Sequence, residues 1–64
     1  MLGYNYRFLN ASGEVAANFI LYSSSDDAAR ELAEELLEKS HWAAVEVWRS
    51  GVMLWRAAKA AIAA

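Results

Sequence analysis

The chain has no cysteine, which removes disulfides and thiolate metal centres as supplements to its core. Its one histidine, His41, has no carboxylate cluster around it, and a lone histidine does not build a zinc site. Basic charge is also scarce. Six Lys and Arg against eight Asp and Glu leave a net charge of −2, enough for solubility and too acidic to draw nucleic acid by field alone. Long apolar runs are missing: Phe19-Ile20-Leu21-Tyr22 and Val52 to Trp55 fall far short of the ~20 residues of a membrane span. The opening Met1-Leu2-Gly3-Tyr4-Asn5-Tyr6 lacks the basic and apolar regions of a secretory signal. These absences fit a reduced, cytoplasmic setting, with no membrane partner and no cofactor expected.

What remains is one domain, 1–64. A chain this short buries only ~60% of the surface that its unfolded form exposes, so its core alone gives marginal stability. Small domains supplement such a core with a disulfide, a metal or a partner. A second subunit is the supplement left open here.

Alternation predicts a first strand over about 3–10, with Tyr4, Tyr6 and Phe8 on one face and Asn5, Arg7 and Leu9 on the other. Asn10-Ala11-Ser12-Gly13 reads as a turn, and a second strand follows over 14–22. Closing the hairpin there pairs Phe8 with Val15, Tyr6 with Ala17 and Tyr4 with Phe19. Ser24 or Ser25 is expected to cap a helix over about 25–39, with Asp26 and Asp27 at its positive end. Ala29, Leu32, Ala33, Leu36 and Leu37 form the buried stripe of that helix.

Strands over 43–49 and 52–57 flank Ser50-Gly51, a pair suited to a tight hairpin turn. A two-residue loop then sets Val47 against Leu54, Trp48 against Met53, Glu46 against Trp55 and Val45 against Arg56. The Ala-rich tail, 57–64, is too short to be helical alone and is open to folding back as a short C-terminal helix.

The expected fold is α+β, a two-layer ββαββ arrangement with one helix on a four-stranded mixed sheet. A right-handed crossover brings strands 1 and 4 together as a parallel central pair, in order 2-1-4-3. In this layout the chain is β-grasp-like and resembles the immunoglobulin-binding domains of streptococcal protein G; the likeness is one of fold and implies no function. Phe8-Leu9-Asn10-Ala11-Ser12-Gly13 and Glu46-Val47-Trp48 also resemble segments of small uncharacterised bacterial proteins. Those proteins share a strand ending Phe-Leu-Asp-Ala-Asp-Gly and a late Glu-Val-Trp strand entering a glycine turn. The resemblance implies the same ββαββ fold and no activity, and the two acidic turn positions are replaced here by Asn10 and Ser12.

The outer face of this sheet is expected to carry Leu9, Ile20, Tyr22, Trp48, Met53 and Trp55. Small proteins rarely leave so much aromatic surface bare, and Trp, Tyr and Met are enriched at interfaces. These six residues are the candidate interface of a homodimer, with an exposed edge strand as the other route to it. Arg7 is expected to lie over Trp55 on the adjacent strand. Arg49 and Arg56 are expected to point to the helix side or its margin.

Catalysis is not expected. His41 lies in a linker beside Trp42 with no triad partner, and Ser23, Ser24 and Ser25 are explained as caps. Glu31, Glu34, Glu35 and Glu38 form a solvated helix face without the loop a calcium site needs. Two other classes stay in view. One is a ligand or single-stranded nucleic-acid binder using the aromatic face. The other is an antitoxin-like regulatory subunit.

Overall fold

A computed structural model describes residues 1–59. Strand β1 (Leu2–Leu9) and strand β2 (Val15–Ser23) form the first hairpin, helix α1 (Asp26–Lys39) follows, and β3 (Ala44–Arg49) and β4 (Val52–Ala58) form the second. The helix begins where the serines and aspartates place it. Ser25 Oγ accepts from the Ala28 amide at 3.1 Å, one of the four orphan N–H groups of a first turn. At the other end Ser40 bonds the Leu37 carbonyl through both its amide, at 3.2 Å, and its hydroxyl, at 2.9 Å. Between the caps Lys39 pairs with Glu35 one turn earlier at 2.8 Å.

The strands lie in the order β2-β1-β3-β4, and every neighbouring pair is antiparallel. This corrects the expected order 2-1-4-3 and its parallel centre, so the sheet is not of β-grasp topology. Two physical terms favour the observed order. The crossover from β2 to β3 passes over one strand rather than two, and antiparallel pairing is slightly stronger per residue than parallel. It also places Val45 and Val47, both fully buried, at the centre, and sends the strand bearing Arg56 to the edge.

Each hairpin contains a bulge that regular alternation does not anticipate. In the first, the loop closes with Asn10 Oδ1 accepting from the amides of Ser12 and Glu14, at 2.9 and 3.0 Å, while Gly13 takes φ 83°. Leu9 faces Val15, Phe8 faces Ala17, and Ala16 is the extra residue. The pairing is thus Tyr6 with Phe19 and Tyr4 with Leu21, two residues along from expectation on β2. A slip of two keeps the side chains from Ala17 onward on their expected faces, while Val15, now opposite Leu9 rather than Phe8, changes face.

In the second hairpin Ser50 and Gly51 take positive φ, 51° and 78°, in a tight turn. Trp48 faces Met53 as expected, but Val47 then faces Trp55, with Leu54 inserted between them. This slip is of one residue, so it exchanges faces: Trp55 turns toward the helix and Arg56 turns away, opposite Glu46. The positions expected for Trp55 and Arg56 are therefore reversed.

The core lies between sheet and helix. Tyr4, Tyr6, Phe8, Val45 and Val47 are buried against Ala29, Ala33 and Leu37, with Leu32, Leu36, Trp42 and Trp55 packed around them. The alanines let the helix approach the sheet closely, and Trp42 lies against Phe8 with ring centroids 4.6 Å apart. The short C-terminal helix expected of the tail does not begin at Ala57, because Ala57 and Ala58 belong to β4. Lys59 follows the strand without helix, and 60–64 of the tail lie outside the described residues.

One polar cluster locks the helix to both hairpins. Tyr4 Oη donates to Asp26 Oδ1 at 2.5 Å, and Arg49 Nη1 reaches the same oxygen at 3.0 Å. Burial raises the Tyr4 pKa first, and the bond to Asp26 raises it further against the opposing pull of Arg49. A phenol held protonated in the fold stabilises it fully below about pH 10, and that contribution is lost as pH rises through the raised folded value. Denaturation followed from pH 8 to pH 11 should therefore show stability falling at the alkaline end, and Tyr4→Phe should flatten the fall. The Lys39 pKa, raised by Glu35, adds a loss of the same sign, but that pair is exposed and salt-screened. An alkaline fall that persists in high salt and is unchanged in Tyr4→Phe would remove Tyr4 as its source.

Candidate interaction surface

Of the six outer-face candidates, the structure gathers four on the face opposite the helix. Ile20 and Tyr22 stand on β2, 67% and 66% exposed. Met53 stands on β4, nearly half exposed, directly opposite the half-buried Trp48 on β3. Leu9 is only 6% exposed, beside the first bulge and opposite Ala44, so it offers little surface. Trp55 is on the helix side, where Arg30 lies 5.7 Å over its ring.

The middle of this face is polar. Arg7 Nη1 and Glu46 Oε1 are 4.0 Å apart across β1 and β3. Trp48 Nε1 donates to the same carboxylate oxygen at 3.1 Å. Arg7 lies 5.4 Å over the Trp48 ring. That cation–π contact was expected with Trp55; it forms with Trp48 because β3, not β4, is the neighbour of β1. Arg56 joins the band opposite Glu46. Apolar side chains therefore flank a charged stripe rather than covering the face.

Beside the stripe is an open concavity of about 450 Å³, lined among others by Asn5, Arg7, Asn18, Ile20 and Trp48. Asn5 Oδ1 is buried there and finds no hydrogen-bond partner among the described residues. Among those residues no group of His, Cys, Asp and Glu side chains is placed to hold a metal ion.

The two sheet edges differ. Edge strand β4 has the Leu54 bulge and Arg56, two devices that blunt an edge against pairing. Edge strand β2 has neither along Ala17–Ser23: that run is Ala-Asn-Phe-Ile-Leu-Tyr-Ser, with no charge and no proline, paired regularly to β1. Its helix-side residues are bare as well, Phe19 at 46% and Leu21 at 36% exposure. The reason is geometric. A helix is ~10 Å wide and strands lie ~4.8 Å apart, so one helix roofs about two strands of a four-stranded sheet. Here α1 sits over the central pair, and the β2 margin is apolar on both faces.

Ile20 and Tyr22 were expected on the outer face, whereas Phe19, expected opposite Tyr4, and Leu21, two residues on, fall on the helix face by alternation and were not expected to be exposed. The single expected helix already implied that exposure, because one helix is too narrow to cover both margins of four strands.

Fold and surface together define a small α+β domain, an open antiparallel four-stranded sheet with one face under a helix. No protein-family model, curated protein or solved structure matches the chain. No helix among the described residues is long and apolar enough to cross a membrane.

Proposed function

We propose that the chain is a non-enzymatic interaction module that self-associates as a homodimer. The observation that carries this reading is the β2 margin, where Phe19, Ile20, Leu21 and Tyr22 are exposed in succession on an uncharged edge strand. Contiguous apolar surface of this kind marks interaction sites, and an unblunted edge marks strand pairing. The marginal core of a chain this size supports the same reading, because a partner that binds only the folded state stabilises it by mass action.

The central stripe decides against a dry face-to-face sandwich. Such a dimer would desolvate Arg7, Glu46 and Arg56, and taking an ion pair out of water costs more than its attraction returns unless the geometry is excellent. An Arg7–Glu46 separation of 4.0 Å is not excellent geometry. Sedimentation over a range of concentrations tests the reading: a mass rising toward that of a dimer supports it, and a monomer throughout removes it.

A second reading, a small-ligand binder, is supported by one feature. The unpaired Asn5 Oδ1 in the concavity beside Trp48 would accept a hydrogen bond from a bound donor. The same face speaks against single-stranded nucleic acid, because Glu46 lies at its centre among the groups that would meet phosphate.

A further inference from the structure

We infer that the partner of the β2 edge is a second copy of this chain, docked antiparallel along β2 with the two-fold axis at Ile20, so that two sheets join into one. The inference rests on the self-association reading above and specifies its geometry.

The register follows from where β2 is regular. The strand is interrupted at Ala16 by the bulge, and the uninterrupted run is Ala17–Ser23, whose midpoint is Ile20. An axis there pairs Ile20 with the partner's Ile20, Phe19 with the partner's Leu21, and Asn18 with the partner's Tyr22. Any other centre shortens the regular run or drives the partner strand across the bulge.

The axis stands perpendicular to the sheet, so both helices lie on one side and both charged stripes on the other. On the helix side, Phe19 and Leu21 of each copy close over the margin that α1 leaves bare. Phe19 already belongs to an aromatic cluster, 6.0 Å from Phe8 and 6.3 Å from Trp42 between ring centroids. Pairing extends that cluster across the axis. On the outer side Ile20 meets its own copy, and the Arg7–Glu46 pair stays in water.

Charge favours a second copy, and the exposed area sets how tightly it binds. The run carries no charge, so self-pairing brings no like charges together, and the backbone supplies hydrogen bonds in a ladder open along its whole length. A large aromatic side chain presents ~150–250 Å². Four side chains at a third to two thirds exposure therefore offer roughly 400 Å² of apolar surface per copy. The total of roughly 800 Å² is below the ~1,200–2,000 Å² of stable complexes, so the dimer is expected to be weak, dissociating in the micromolar range.

Disulfide trapping tests the register on a chain with no native cysteine. Directly opposed residues of antiparallel strands have Cα atoms ~4.5–5.5 Å apart, within the range a disulfide spans. Ile20→Cys alone should therefore cross-link to itself. Phe19→Cys and Leu21→Cys should each cross-link poorly alone and at least tenfold better when mixed. Both positions face the helix side, so their trapping cannot arise from outer-face docking. If sedimentation shows a dimer but these pairs do not form and Met53→Cys cross-links instead, self-association stands and the β2 geometry is overturned. If the parent chain stays monomeric and no pair forms, both fall.

Discussion

Phe8→Ala is expected to leave the chain largely unfolded at 25 °C without denaturant. Phe8 is buried near the C-terminal end of β1, its ring against Trp42 on one side and edge-on to Phe19 on the other. Truncating a buried phenylalanine costs ~3–5 kcal/mol, counting lost transfer energy and the cavity left behind. At ~0.05–0.15 kcal/mol per residue, a domain of this length has only ~3–10 kcal/mol in all. The sheet cannot collapse into the gap easily, because the β1 backbone is pinned by pairing on both sides. Phe19→Ala is the control. That ring is half exposed on the edge, and its loss should cost only ~1 kcal/mol. Urea titration read by far-UV circular dichroism separates the two. A Phe8→Ala midpoint within ~1 M of the parent would mean that Phe8 does not occupy the core as described.

The second large effect belongs to Trp55. Its indole packs against the core from the edge of the sheet and carries the Arg30 guanidinium over its outer side. A fully buried tryptophan costs ~3–5 kcal/mol on truncation, and a half-buried one roughly half of that. Trp55→Ala should thus lose ~2 kcal/mol, and the loss comes from packing that exists only because Leu54 is inserted into β4. Trp48→Ala, on the solvent side and held by Glu46, should lose ~1 kcal/mol or less. Equilibrium unfolding of the two variants gives the comparison. The reverse ranking would mean that β4 runs without its bulge and that Trp55 faces outward.

Those two tryptophans also show where reading the sequence stops. The faces of β1 and β3 follow from alternation, since Tyr4, Tyr6, Phe8, Val45 and Val47 are all buried as their spacing requires. The helix follows from its serine cap, first-turn aspartates and apolar stripe, to within a residue at its start. The bulges do not follow. Ala16 and Leu54 are ordinary strand residues, and what inserts them is the fit of each hairpin to its neighbours rather than a local preference. Strand order does not follow either, because the crossover rule fixes handedness and not how many strands the connection passes. One clue did favour the observed order: the regular register turned Arg56 inward on a central strand, an uncompensated charge that a core does not hold. Placing β4 at the edge and bulging it removes that conflict. The Tyr4–Asp26–Arg49 cluster was hidden for another reason, since its members come from three elements brought together only by the fold.

The β2 edge carries the functional reading, and sedimentation of the parent chain beside Ile20→Lys and Met53→Lys tests it most directly. Both substitutions place a lysine on exposed surface, so neither should cost the fold much. Across about 1 µM to about 1 mM the parent should pass from monomer toward dimer, and Met53→Lys should follow it closely. Ile20→Lys, with two ammonium groups meeting at the axis, should remain monomeric or dissociate at least tenfold more readily. A parent that never exceeds monomer mass, or an Ile20→Lys chain that dimerises as the parent does, rules out β2 as the docking strand.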